Sequence, residues 1–415
     1  LRGLLTALAP LLERDGALGE SSFPGLGDGD APAKESATPV LDATIRLLKE
    51  FLPSGKGKER TPENAAGANG DASGWARVGK AGLEEEEERE AFTPTFVYDA
   101  LMKKRRFGHL KLGQQEDAEE FLGFYLDELE EELESLLKDS QGTFAHVWGD
   151  QMLTIISEDR QQASGEAEGW TEVAKGKAKN AVVRGSGPSH NSPISRIFGG
   201  TFRSTLRQPK KPESVTVERW LRLMLDVEHE SIETIEDAIQ RLAQPQTISD
   251  PAVAASQGPM MLQLQIASLP PVLVLHLKRF FYSADEVKKV SKEVRYGPIL
   301  EFPANSNVLA KRTAAAKYRL FAVLYHHGRS AAGGHYTLDV LCPTRFAVSP
   351  PAQAGKPATT TKPGPRFREG WIRIDDELVS DIRPEDVFGP GARSGGRWEE
   401  DGGRCAYLLF YERIG

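Results

Sequence analysis

The sequence predicts an α+β protein, and three observations carry that prediction. Helices dominate the first third, most clearly in two stretches, Val40–Leu52 and Gln114–Leu137. From Ile197 onward the texture is of extended pieces. Among them Pro271-Val272-Leu273-Val274-Leu275-His276-Leu277 is a continuous apolar run, the pattern of a strand covered on both faces. Helices first and strands after argue for helices on one side of a mainly antiparallel sheet.

Residues 1–13 read as a leucine-rich helical remnant and residues 15–38, rich in Gly, Pro, Ser and Asp, as loop. Val40–Leu52 is amphipathic, with Ala43, Ile45, Leu47, Leu48 and Phe51 apolar. Residues 53–90 are low-complexity and end in the acidic run Glu84 to Glu88, a solvated stretch. In Gln114–Leu137, Ala118, Phe121, Leu122, Tyr125, Leu129 and Leu133 fall on one stripe. Residues 158–194 form a polar insertion whose centre, Glu168-Gly169-Trp170-Thr171-Glu172-Val173, is expected to be partly ordered.

Phe198–Ser204 and Leu221–Val227 suggest strands, and Ile232–Leu242 a short helix. Tyr318–Tyr325, Tyr336–Leu341, Trp371–Ile374 and Ala406–Tyr411 add four strands, interrupted by a Pro/Gly/Thr-rich loop at 343–370.

Bulk properties narrow the function classes. A chain of 415 residues, 39% hydrophobic, can bury a large core. A formal charge of −8 argues against a general nucleic-acid grip, and no stretch approaches a membrane span. The two cysteines, Cys342 and Cys405, form no CxxC pair, so a cysteine zinc site is not expected and a reducing compartment is. The chain opens on Leu1 without a cleavage-site pattern, so it reads as a fragment rather than as a secreted precursor.

Chemistry concentrates near the end. His335 follows Gly333-Gly334, so backbone there can bend and admit a substrate. Its ordinary pKa, about 6.5, suits a base near neutrality. Asp375 and Asp376 follow a strand that begins at Trp371, and adjacent carboxylates are a poor core choice. One of them could accept the Nδ1–H of His335 and fix its tautomer. A loop histidine and an exposed acidic turn are the plainer readings of each alone. A metal site from His326, His327 and His335 lacks the helical i, i+4 spacing and is disfavoured. On the second helix Glu116, Asp117, Glu119 and Glu120 crowd the first turns, where the helix dipole favours them. Asp117 and Glu120, three apart, could together hold a partner's arginine.

At these residues the chain resembles the ubiquitin-specific proteases, cysteine peptidases that cut after the C-terminal glycine of ubiquitin. Gln114-Gln115-Glu116-Asp117-Ala118-Glu119-Glu120-Phe121-Leu122 looks like the family's glutamine box. Leu269 to Phe280 looks like its central strand motif, and Tyr318 to Gly328 with Gly333-Gly334-His335-Tyr336-Thr337 like its histidine box. Trp371 to Asp376 and Ala406 to Tyr411 match its closing strands. The wording is most similar to the subfamily of ubiquitin carboxyl-terminal hydrolase ten and its fungal counterpart.

The resemblance implies one hand-like domain over residues 1–413: a thumb over 1–140, fingers over 141–260 and a palm over 261–413. It implies His335 as general base, Asp375 as orienting acid and Asp376 sharing or backing up that role. Asp117, Glu120 and Gln115 would meet the tail of ubiquitin, and Gly333, Gly334 and Tyr336 would border a slot for its diglycine end. Ubiquitin and ubiquitinated proteins are the implied partners, with a protein cofactor engaged through an upstream region, and the cytoplasm, with the nucleus second, the implied location. No cofactor and no metal are expected. Many members bind zinc through two CxxC pairs, whereas Arg207-Gln208-Pro209-Lys210-Lys211-Pro212 holds no cysteine. The nucleophile also departs: nothing before residue 342 is a cysteine. The chain is therefore expected to be inactive as given, with a ubiquitin-binding scaffold as the alternative to an enzyme and a metal hydrolase as a weaker third reading.

Overall fold

A computed structural model describes residues 36–50, 92–108, 115–139, 182–185, 192–209, 211–248, 259–282, 287–304, 306–310, 313–330, 333–348, 366–389 and 404–415. The expectations for residues 1–13, 53–90 and 168–173, and for Gln114, lie outside these residues, as does most of 15–38 and 158–194. Contacts divide the chain into two units, Thr38–Gly108 and the remainder. The helices expected together as a thumb thus belong to different units.

In the smaller unit, α1 (Pro39–Lys49) opens with a proline in its first turn and carries Asp42 near its start and Lys49 at its end, both favoured by the helix dipole. It buries Val40, Leu41, Ala43, Ile45 and Leu48. The second helix, α2 (Thr95–Met102), precedes a 3₁₀ turn at Arg105–Phe107. Arg46 lies 4.1 Å over the ring of Phe96, so a cation–π contact joins α1 and α2.

The larger unit opens with α3 (Ala118–Asp139). This helix starts four residues later than its periodicity suggests. Asp117 is its N-cap: its backbone carbonyl accepts the first helical bond from Phe121, and its Oδ1 accepts from the N–H groups of Glu119 and Glu120. The buried stripe also differs, being Leu126, Leu129 and Leu133. Phe121 is exposed and stacks on Tyr125.

After β1 (Val182–Gly185) and the short α4 (Pro193–Phe198), a sheet forms from β2 (Gly200–Arg207), β3 (Ser214–Trp220), β5 (Gln246–Ile248) and β6 (Met260–Ser268), in the order β1-β3-β2-β6-β5. Phe198 ends a helix rather than starting a strand, because Pro193 and the Ser192 cap nucleate one turn there.

The second sheet positions the site. It contains β4 (Leu223–Asp226), β7 (Val272–Lys278), β10 (Ile299–Phe302), β11 (Ala316–Ser330), β12 (Gly333–Val348), β13 (Arg366–Asp375), β14 (Leu378–Ile382) and β15 (Cys405–Arg413). The order is β14-β13-β12-β11-β15-β7-β4, with β10 on β11; only β4 and β7 pair in parallel within it. In β7, one strand in from the β4 edge, Leu273, Val274, Leu275 and Leu277 are 0% exposed. Full burial of each aliphatic side chain contributes about 1.5–3 kcal/mol. The expected loop at 343–370 is shorter than its composition suggests. Strands β12 and β13 run on to Val348 and back from Arg366, because Phe346, Ala347 and Val348 pair with Arg368, Phe367 and Arg366.

The short helix α5 (Ile235–Leu242) is closed by a capping box of Thr234 and Asp237, which sets its start three residues after Ile232. A two-stranded ribbon, β8 (Phe280–Tyr282) and β9 (Val287–Lys289), and the turn α6 (Pro384–Phe388) complete the unit. Between β7 and β8 the guanidinium of Arg279, 1% exposed, donates to the carbonyls of Ala406, Val290 and Lys292. A buried charge is tolerable there because its donors meet acceptors. Among the described residues no helix is long and apolar enough to cross a membrane.

Candidate active site

His335 is the third residue of β12 and pairs across the hairpin with His327. The register between β12 and β13 sets Leu338 against Ile374, so one further step puts Asp375 opposite Thr337. His335 and Asp375 are therefore diagonal neighbours on one face. That separation is too wide for the near ring nitrogen and suits the far one. The bond is His335 Nε2 to Asp375 Oδ1 at 2.5 Å, not through Nδ1 as the sequence reading has it. The carboxylate can only accept, so Nε2 carries the proton and neutral His335 keeps its lone pair on Nδ1. Among the described residues nothing bonds Nδ1.

Both side chains are 44% exposed, open enough for a substrate to reach. The hydrogen bond to Asp375 raises the His335 pKa, the small degree of burial opposes it, and the charge of Asp376 adds to the rise. Asp376 sits in the two-residue turn between β13 and β14 at φ 49°, a left-handed conformation that aspartate tolerates. It faces the pair without bonding the ring. The ligand atoms of His335, Asp375 and Asp376 lie within 4.8 Å of one another.

Gln115, Gly333, Gly334 and Tyr336 come together with the start of α3. Gln115 Nε2 donates to the carbonyl of Gly334 at 2.8 Å, and the Gly334 N–H donates to Gln115 Oε1 at 2.8 Å. Tyr336 Oη accepts from the Ala118 N–H at 3.3 Å. Asp117 Oδ2 accepts from Tyr407 Oη at 2.6 Å. The start of α3 is thus tied to β12 and β15, and burial pushes the Tyr336 hydroxyl up to about 12 and that of Tyr407 far above its ordinary value. Asp117 serves as the cap, and Glu120, three residues on, is exposed. The arginine held at this end of α3 is the chain's own Arg222, whose Nε meets Glu119 Oε1 at 2.6 Å.

The three histidines of the metal reading have separate partners. His326 Nδ1 is 2.8 Å from Lys289 Nζ, and His327 Nε2 is 2.8 Å from Thr337 Oγ1. Neither cysteine lies beside His335 in this structure. Cys405 pairs with His326, which pairs with Tyr336, so its side chain lies on the sheet face opposite His335 and two strands away, roughly 10 Å. Cys342 lies seven residues along β12, roughly 23 Å distant. A cavity of about 550 Å³ lined by Ile239, Leu300, Phe302 and Val308 takes no residue from this neighbourhood.

Sequence reasoning did not reach Lys289, Asp339, Arg404 or Gln115's true partner. Asp339, 0% exposed, receives two bonds from Arg373, at 2.7 and 2.8 Å, and one from Arg404 at 3.1 Å. Arg404 also lies 3.8 Å over the ring of Tyr325. This ion cluster ties β13 and the start of β15 to β12 on the strands that carry the pair. An acid in the middle of the alternating run Thr337 to Leu341 is the one signal that could have exposed it.

Comparison with known proteins shows the family. The family "Ubiquitin carboxyl-terminal hydrolase" matches residues 58–411. "Probable ubiquitin carboxyl-terminal hydrolase 3" of Schizosaccharomyces pombe is 37% identical over 335 residues, 78% of this chain and 60% of that protein. "Ubiquitin carboxyl-terminal hydrolase 10" of Gallus gallus is 33% identical over 390 residues, 91% of this chain and 43% of that protein. The chain therefore spans about half the length of these relatives. The solved "SAGA Ubp8/Sgf11/Sus1/Sgf73 DUB module bound to ubiquitin aldehyde" shows 17% identity at a TM-score of 0.46, over 77% of this chain and 54% of that one. With the family matched across most of its length, the chain belongs to the ubiquitin carboxyl-terminal hydrolases, the family of ubiquitin-cleaving thiol peptidases.

Proposed function

We propose that these residues supply the base half of a deubiquitinating site. His335 Nδ1 takes the proton of a cysteine thiol, the thiolate attacks the carbonyl of ubiquitin's last glycine, and the imidazolium then protonates the leaving lysine amine. Water, deprotonated by the same nitrogen, releases ubiquitin from the thioester. Asp375 holds Nε2–H and stabilises the imidazolium; Asp376 adds negative potential. The single observation that supports this most is the 2.5 Å bond that leaves Nδ1 free.

The 415 residues contain no cysteine placed to be that nucleophile. We therefore expect this polypeptide to bind ubiquitin without cleaving it. Gln115, Gly333, Gly334 and Tyr336, with Glu120 on the exposed flank, border the groove that would receive the diglycine end, and ubiquitinated proteins are the proposed partners.

The test has two arms. Titrating the purified chain with ubiquitin should give saturable binding, weakened at least tenfold when ubiquitin lacks its last two glycines. A fluorogenic ubiquitin C-terminal amide should be released no faster than by a His335→Ala control. No binding would overturn the site; release above the control would overturn the claim of inactivity. Addition of an upstream segment carrying a cysteine separates enzyme from scaffold: the enzyme reading requires that segment to restore release.

A further inference from the structure

His335 is presented by a knot of three glycines, and one lysine on a different element pins it. Gly328, at φ +118°, packs its backbone directly on Gly333 and Gly334; a Cβ added there would stand 3.2 Å from the Gly333 carbonyl oxygen and 3.2 Å from the Gly334 Cα. The His326 ring fills the place where Gly334 would carry a side chain: a Cβ on Gly334 would come within 2.4 Å of His326 Nε2. Phe280, Tyr336 and Tyr407 surround that ring, with centroids 5.3, 5.1 and 6.4 Å away. His326 is 2% exposed.

Lys289, at the end of β9 and 9% exposed, reaches both parts of this assembly. Its Nζ lies 2.8 Å from His326 Nδ1 and 2.5 Å from the carbonyl oxygen of Gly328. An ammonium can only donate. His326 Nδ1 must therefore accept, and the neutral ring must carry its proton on Nε2. Burial and the adjacent ammonium hold His326 neutral, with its pKa down at about 4, so the pair does not become two cations at neutral pH.

We infer that Lys289 is a positioning residue for His335, acting through the His326 ring and the Gly328 carbonyl to fix the backbone of Gly333 and Gly334. It touches no reacting atom. The edge of Gly334 is held by Gln115 and its face by His326, so the backbone one residue before His335 is held on both. Removing the ammonium frees the ring to change tautomer and the Gly328 carbonyl to turn, and the imidazole at 335 then loses its fixed angle to Asp375. The inference rests on His335 being the functional base, but its test involves no ubiquitin, so a failure of either claim is distinguishable from a failure of the other.

The experiment is NMR on the free chain with labelled histidines. The wild type should show His326 as the Nε2–H tautomer and a downfield Nε2–H proton from His335. Lys289→Met, similar in length and without charge, should mix the His326 tautomers, broaden or abolish the His335 resonance and speed amide exchange at Gly334 and His335 at least tenfold. Lys289→Gln, which keeps a donor, should retain most of that protection. A folded Lys289→Met chain with an unchanged His335 resonance and exchange within twofold of wild type would overturn the inference. Should the methionine variant not fold, the wild-type spectrum still decides: a His326 ring protonated on Nδ1 is incompatible with an ammonium donating to that atom.

Discussion

Gln115 and Gly334 bond as two adjacent strands do, the side-chain amide of one matching the backbone N–H and C=O of the other at 2.8 Å each. Both bonds are solvent-exposed, so each contributes at the lower end of the usual net of about 0.5–1.5 kcal/mol. Gln115→Ala should then loosen Gly334 by about 1 kcal/mol, which appears as about 5-fold faster amide exchange at that residue. Global unfolding should change little, because Gln115 lies before the first turn of α3. Exchange at Gly334 equal to wild type would show that the bond does not persist in solution.

The pH response of the His335–Asp375 pair has a definite sign. Asp375 raises the His335 pKa above its unfolded value of about 6.5. The pair's contribution to stability is complete below that unfolded value and is lost as pH rises through the folded one. Asp375→Asn should lower the His335 pKa, and the stability gap between wild type and variant should be wider at pH 5 than at pH 9. With both groups 44% exposed the gap stays within about 0–1 kcal/mol, so the imidazole titration by NMR is the sharper measurement. An unmoved or higher pKa in the variant would contradict the hydrogen bond as its cause.

Asp339 is a different kind of ion pair. Its carboxylate is fully buried, and its two arginine partners keep 25% and 17% side-chain exposure. Removing the acid leaves two guanidinium groups facing each other without compensation. Asp339→Ala should cost about 3–5 kcal/mol in denaturant unfolding. A loss below 1 kcal/mol would mean that water or rearranged side chains take over the carboxylate's role.

What the sequence made legible, and what it did not, follows from the range of each interaction. The covered strand β7 is readable because burial on both faces demands an unbroken apolar run, a local property. The pairing of His335 with Asp375 is readable only through the resemblance of the histidine box and the closing strand, since each residue alone reads as a loop histidine or an exposed turn. Which ring nitrogen makes the bond is not readable, since it depends on a one-step register between β12 and β13. The Asp117 cap had a local signal, an aspartate just ahead of a helical stripe, masked by three further acids beside it. Lys289 and His326 lie 37 residues apart, and Gln115 and Gly334 lie 219 apart, with no periodicity linking either pair. Only the folded sheet brings them together.

Gly334 offers the most direct test of that crowding. Its place over His326 leaves no room for a methyl group: the added carbon would stand 2.3 Å from the His327 carbonyl oxygen and 2.4 Å from His326 Nε2. The first is backbone within a paired strand and the second belongs to a ring boxed in by three others, so neither can step aside by a rotamer change. Gly334→Ala must therefore move β12 at the residue before His335, at a cost of about 1–3 kcal/mol. Gly333 provides the control. Among the described residues, a carbon added there meets only Gln115 Oε1, at 3.4 Å, an ordinary contact. Gly333→Ala should keep the downfield His335 proton, whereas Gly334→Ala should lose it. Equal behaviour of the two variants would show that the ring of His326 does not occupy the space beneath Gly334.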